Sequence, residues 1–193
     1  MNQFKFTPFP VLETERLVLR KICHKDAHEI FKIRSDEDLA RYLDRPLYTR
    51  FEEADNFINK LLAGISNNEW LYWVLTLKGE DKCIGTICLW KISQRYRRAE
   101  VGFELMTEYQ RKGFMSEALE AVIGYGFDDL ELNYIDGEVD PNNIASVNLM
   151  VHHGFRKLAP EEYDPGEDGN PSTLMYRLSE PVYQRIKADG SLK

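Results

Sequence analysis

The sequence contains no apolar run approaching the roughly 18 residues of a membrane span. Its opening residues, MNQFKFTPFP, lack the basic start and apolar stretch of a secretory leader. The expectation is a cytoplasmic protein with no membrane partner. Cysteine is scarce, with three residues in 193. Cys23, Cys83 and Cys88 are an odd number, and the four residues between the last two do not match a zinc knuckle. Reduced, packed thiols are the simplest reading. His24 and His28 stand four apart, a metal-compatible spacing on a helix, but no third ligand is evident, so no metal is expected. Basic charge is also short: the formal net charge is −7. General nucleic-acid binding needs a broad basic face and is excluded on that ground. An acidic surface would instead steer a cationic substrate such as an amine. Neither the G-x-x-x-x-G-K-[ST] loop nor the G-x-G-x-x-G fingerprint occurs. With no Mg²⁺-bearing loop either, a nucleotide kinase is disfavoured.

What is present is enough for an ordered core, since 43% of residues are apolar and 12% aromatic. The length suits one domain over 1–193, ending in a short polar tail, 181–193. The stretch ETERLVLRKI alternates as a first strand, with Arg16 and Arg20 on the face opposite Leu17 and Leu19. CHKDAHEIFKIRSD and TRFEEADNFINKLLAGI carry helical stripes, the second closing at Gly64. EWLYWVLTLK and DKCIGTICLWKIS form a hairpin around Gly79–Asp81, and RRAEVGFELM is a further strand. A helix follows with Ala118, Leu119, Val122 and Ile123 on one face. LNYIDGEVD is a short strand, NNIASVNLMVHHG a helix stopped by Gly154, and FRKLAPEEY and STLMYRLSE are closing strands around an acidic Gly/Pro-rich loop, 161–172. This order predicts an α/β fold with a mixed, mostly antiparallel sheet covered by helices.

The helix mouth at EYQRKGFMSEAL carries chemistry. A helix N-terminus offers about four unbonded N–H groups and a partial positive charge. Gly113 would let backbone approach an anion, and Arg111 and Lys112 add full charges. The alternative is an ordinary solvated turn. On the strand before it, Glu100, Gly102 and Glu104 share one face, and Val101, Phe103 and Leu105 the other. Either carboxylate is a candidate general base, their proximity raising one pKa. A solvent-exposed face salt-bridged to Arg97 or Arg98 is the alternative.

EYQRKGFMSEAL resembles the acyl-CoA loop of the GNAT superfamily of N-acetyltransferases, Q/R-x-x-G-x-G/A followed by a helix. Gln110 and Gly113 match, while Met115 stands where Gly or Ala is usual. DPNNIASVNLMVHHGF is similar to the second signature, N-x-x-[SA]-x-x-L with a Gly-Phe ending, carried by Asn143, Ser146, Leu149, Gly154 and Phe155. ETERLVLRKICHKDA and AEVGFELMTEYQRKGFMSEAL resemble the branch that acetylates ribosomal-protein N-termini at serine or alanine. The resemblance spans about 12–179.

It implies a GNAT-like twisted sheet whose splayed parallel strand pair binds acyl-CoA, with acetyl-CoA as co-substrate. Implied cofactor contacts are Phe103, Leu105, Met106, Arg111, Lys112, Gly113, Phe114, Met115, Ser116, Asn143 and Ser146. The family's usual tyrosine position is Met150, which cannot donate a proton. Ser146 then becomes the candidate beside the thiol, and the catalytic set is Glu100, Glu104 and Ser146. Helix capping is the plain alternative for Asn143. His152 and His153, near a helix end, are expected to be structural, a partial positive charge there suiting the dipole. Acceptors open to this chemistry are a protein N-terminal α-amine, an amino acid, a polyamine or an aminoglycoside. A homodimer is common in the branch. The rival is a non-catalytic acyl-CoA-binding module, which Met115 and Met150 would fit.

Overall fold

The computed structural model describes residues 4–43, 45–163 and 172–190. Two short N-terminal strands, β1 (Leu12–Glu13) and β2 (Leu17–Lys21), replace the single strand expected there. Three helices follow, α1 (Ala27–Ser35), α2 (Glu37–Ala40) and α3 (Glu52–Ser66). The expected hairpin is β3 (Leu71–Leu77) with β4 (Gly85–Ser93), and β5 (Arg98–Leu105) pairs antiparallel to β4. Then come α4 (Phe114–Gly124), β6 (Tyr134–Val139), α5 (Ile144–His152), β7 (Arg156–Lys157), β8 (Leu174–Ser179) and α6 (Glu180–Ala188).

The strands form one sheet in the order β1-β2-β3-β4-β5-β6-β8-β7. Only the β5–β6 pair among them is parallel, the crossover running through α4. Each face has its own core, because alternate side chains on a strand point to opposite sides. Leu17, Leu19, Leu71, Trp73, Val101 and Leu105 pack on one face with Met115, Leu119, Val122 and Ile123 of α4. On the other, Ile22, Tyr72 and Val74 meet Ile30 and Ile33 of α1 and Ala54, Ile58 and Leu61 of α3.

Two expectations about element ends are corrected. Gly64 does not close its helix; α3 runs on to Ser66, and a Cβ at Gly64 would lie 2.0 Å from a ring carbon of Trp70. Gly64 is therefore a contact glycine that lets the indole lie against the helix. The segment after Pro181 is not a polar tail: Pro181 sits in the first turn of α6, which buries Tyr183. Most of the acidic loop, residues 164–171, lies outside the described residues, as do 191–193. No helix among the described residues is long and apolar enough to cross a membrane.

Candidate active site

β5 and β6 are paired for only three rungs, ending at Glu100 opposite Asp136. Beyond that rung Val101–Leu105 stays on β4, while Gly137–Val139 stays on β8. The two strands part, and a cavity of about 770 Å³ opens between them. Its wall includes Val101–Leu105 from β5, Gly137–Val139 from β6, the start of α4 and the inner face of α5.

The anion end is built by the loop into α4. Arg111 and Gly113 both have left-handed backbones, φ 59° and 80°. For arginine that is a costly conformation, and a backbone of this kind gathers successive N–H groups around an anion. Gly113 is the N-cap of α4, and no side chain caps the first turn. Gln110 does not reach the anion position; its side-chain amide donates to the Leu105 carbonyl at 2.9 Å, fixing the loop to the end of β5. From the far edge of the sheet, Arg16 donates to the Lys112 carbonyl at 2.9 Å and pairs with Glu117 at 2.6 Å. Its guanidinium also lies over the Phe114 ring, 4.6 Å from the centroid.

Of the residues singled out in sequence, Phe103, Leu105, Arg111, Gly113, Phe114, Met115, Ser116, Asn143 and Ser146 line this cavity. Met115, in the place of Gly or Ala, packs its side chain into the core under α4, so the loop's backbone stays open. Asn143 caps α5, its side-chain oxygen accepting from Ser146 N–H at 3.2 Å, and it also lines the cavity. Capping and ligand contact are thus compatible. Two of the named residues fall outside the lining. Met106 is buried in the core beneath α1 and α3, and its N–H is bonded to the Ile84 carbonyl. Lys112 is exposed, its ammonium over the Tyr109 ring.

A second cavity, about 550 Å³, adjoins the first and shares the wall Val101–Glu104 with it. It holds the two carboxylates, in different environments. Glu100 is 6% exposed, and burial pushes its carboxyl up despite the Lys91 ammonium 2.9 Å away. A bulge in β4, with Lys91 at φ 46°, brings that lysine over from its own strand. Glu104 is clamped by Arg45 at 2.7 Å and Arg34 at 3.5 Å. Neither carboxylate is held by Arg97 or Arg98, which pair with Glu131 and Asp136. Aromatic walls come from Tyr42, Phe57, Tyr72 and Trp90. Cys88 also lines this cavity; burial pushes its thiol up to about 12, which leaves it a packed thiol.

At the other end of the larger cavity, Met150 is buried with its Cε where a Cβ of Gly137 would be, 2.1 Å from that position. His153 is 4% exposed and shares a 2.8 Å hydrogen bond with Ser116 Oγ. Burial and the neighbouring His152 lower its pKa to about 4, so it is neutral and lends no charge to the helix end, contrary to expectation. Among the described residues no cluster of three or more His, Cys, Asp or Glu is arranged to hold a metal ion.

A family model described as an acetyltransferase (GNAT) domain matches residues 16–156. The chain belongs to the GNAT acetyltransferase family. This GNAT chain is 34% identical over 174 residues to the uncharacterized N-acetyltransferase YoaA of Bacillus subtilis, covering 90% of this chain and 98% of that one. It is 26% identical over 137 residues to the spermidine N(1)-acetyltransferase of Escherichia coli, 71% of each chain. A Vibrio cholerae protein, provisionally assigned as a ribosomal-protein-serine acetyltransferase, superposes with a TM-score of 0.75 at 26% identity, over 89% of this chain and 98% of that one. The protein is accordingly an N-acetyltransferase with the mixed GNAT sheet and its parallel pair.

Three residues that position the site went unmarked in the sequence for this role: Arg16, Lys91 and Arg45. Arg16 and Arg45 act from distant segments and Lys91 from the neighbouring strand β4, and no local motif announces any of them.

Proposed function

We propose that the protein transfers an acetyl group from acetyl-CoA to a primary amine by direct attack, without a covalent enzyme intermediate. The observation that carries this reading is the parting of β5 and β6 beyond Glu100 and Asp136, which opens onto the uncapped first turn of α4. An extended cofactor with an anionic head fits that shape. The first-turn amides of α4, with Arg111 at the edge, would hold the pyrophosphate. The stretch of β5 around Phe103 and Leu105, paired to β4 but free on its β6 side, and the amide of Asn143 would hold the pantetheine arm. Acetyl-CoA, when bound, supplies an activated thioester.

The protein's own groups do the rest. Glu100, partly desolvated, accepts the proton of the incoming ammonium, directly or through water. Glu104 is less suited to that task, because two arginines already claim its oxygens. The Ser146 hydroxyl donates to the departing sulfur, a hydrogen bond rather than full proton transfer. The acceptor is a primary amine. A protein N-terminal α-amine is favoured by the resemblance of β2 and β5 to the ribosomal-protein branch and by the V. cholerae neighbour. A small amine is the second reading, favoured by the aromatic-walled cavity beside Glu100. Homodimer formation and a cytoplasmic location belong to the same proposal.

Calorimetric titration with acetyl-CoA, alongside CoA lacking its 3′-phosphate and ATP as controls, tests the cofactor. Thiol release with a panel of amines and N-terminal peptides tests turnover. Saturable binding with release for any acceptor is the expected result. Binding without release across the panel would favour a binding module, and no binding would overturn the reading.

A further inference from the structure

The smaller cavity has unlike ends. Toward the parting strands its walls carry Glu100, Glu138 and Asp140, with Lys91 set between the first two. Toward α1 and the segment after α2 they carry Arg34 and Arg45 around Glu104. Two guanidinium groups face one carboxylate there, leaving a positive charge uncompensated in an otherwise acidic chain. These side chains are mostly buried: those of Arg34, Arg45 and Glu104 are 17%, 9% and 12% exposed. Arg45 is largely committed, donating to the carbonyls of Ile33 and Arg34 and to Glu104. Arg34 is not. It lies flat against Tyr48 and Phe57, 5.1 and 4.6 Å from the ring centroids, and touches Glu104 only at 3.5 Å. The Nε atoms of both arginines are buried with no hydrogen-bond partner among the described residues. A buried cation with unspent donors calls for an anion, and a guanidinium fork matches a carboxylate.

We infer that the acceptor carries a carboxylate beside its amine, with Arg34 as the specificity-determining residue that receives it. This rests on the acetyltransferase reading above and narrows its substrate class. Glu104 lies three residues along β5 from Val101, where the strands part, about 10 Å at the rise of a strand. An acidic side chain following a peptide N-terminus suits that span better than the α-carboxylate of a free amino acid, which stands only two bonds from its amine. The carboxylate has two sources, a free amino acid or an acidic side chain next to a peptide N-terminus. A polyamine presents only positive charge to Arg34 and Arg45 and is disfavoured.

Matched acceptors separate these cases. L-phenylalanine and L-methionine are compared with their carboxamides, and the peptide Ser-Glu-Ala-Ala-amide with Ser-Gln-Ala-Ala-amide, with spermidine alongside. The readout is thiol release from acetyl-CoA by the full-length protein. One carboxylate-bearing member should exceed its amide counterpart in kcat/KM by on the order of tenfold or more. Which pair shows the gap identifies the source. Arg34→Gln should bring that ratio toward one, chiefly through KM, with acetyl-CoA affinity retained by calorimetry. Because Arg34 also packs on two rings, Glu104→Gln gives a second route: it removes the competing anion and should widen the ratio. A ratio near one in the unaltered protein, spermidine as the best acceptor, or no turnover of any carboxylate-bearing member while acetyl-CoA binds would overturn the inference. Failure to bind acetyl-CoA would instead overturn the acetyltransferase reading.

Discussion

At the residue scale the two carboxylates of β5 look equivalent in sequence and are not equivalent in the fold. Glu100 is held above the ordinary carboxylate range by burial, whereas Glu104 is tied by arginines 70 and 59 residues away. A base must be ionised to act, so kcat/KM should rise with pH along a limb set by the raised Glu100 pKa. Glu100→Gln should lower kcat by about 10²-fold or more and erase that limb, while acetyl-CoA affinity measured by calorimetry stays unchanged. His153 offers a stability test with the opposite sign. Its folded pKa of about 4 lies below its ordinary 6.5, so the unfolded chain binds more protons in that window. Stability should fall as pH drops from 6.5 to 4, and His153→Gln should flatten that part of a denaturant-midpoint profile. The motif residues around the larger cavity could be placed from sequence because what they do in the fold is local: Gly113 takes a left-handed backbone and Asn143 caps α5. The partners of Glu100 and Glu104 could not. A strand pattern assigns a residue to a face, and what stands there comes from a bulge in the neighbouring strand for Glu100 and from segments remote in sequence for Glu104.

At the element scale, helical stripes were enough to place α3 and α4, and runs of β-branched and aromatic residues placed the central strands, although β3 is buried on both faces. The ends were less legible, because the same residue can stop an element or admit a neighbour. Gly64 shows this. Glycine is a poor interior helix residue, and Gly64→Ala would favour α3 by about 0.5–1 kcal/mol on propensity alone. Here the added methyl meets Trp70 at 2.0 Å, on an indole whose Nε1 is bonded to the Leu61 carbonyl at 3.1 Å. Overpacking of this kind costs about 1–3 kcal/mol. The net effect expected in urea unfolding is a lower midpoint, and an unchanged or higher one would mean that Trp70 moves aside freely. The loop before α4 shows the same dependence on a distant element. Arg16, at the start of β2, holds the Lys112 carbonyl and Glu117 together. Arg16→Met keeps stem packing on Phe114 but releases the loop. Losing one such charge-assisted bond is worth about 1.5–3 kcal/mol. Acetyl-CoA affinity should therefore weaken by roughly tenfold or more in calorimetry, with a smaller change in kcat.

At the scale of the whole molecule, α6 joins the C-terminal segment to the crossover between β5 and β6. Its sequence, EPVYQRIKA, sets Val182, Tyr183 and Ile186 at helical spacing among charged residues, so the segment is polar in composition and still has an apolar side. The docking explains their spacing. Tyr183 is 3% exposed, stacks on Phe127 with centroids 4.8 Å apart, and donates to Asp128 at 2.6 Å. Ile186 and Val182 approach Gly154, the left-handed residue that ends α5, where a Cβ would lie 2.3 Å from Ile186. One short helix thus touches the ends of both α4 and α5, the two helices that line the larger cavity. Tyr183→Phe keeps the ring and loses one hydrogen bond, about 1 kcal/mol. Tyr183→Ala empties a buried aromatic site, a loss of about 3–5 kcal/mol by analogy with phenylalanine truncations. If α6 merely caps the surface, both variants lose stability without a change in acetyl-CoA affinity below their melting range. If it sets the spacing of α4 and α5, Tyr183→Ala should weaken acetyl-CoA binding at temperatures where circular dichroism still reports a folded protein. The contacts at Gly154 favour the second outcome, because they fix the end of the helix that carries Asn143 and Ser146 into the cleft.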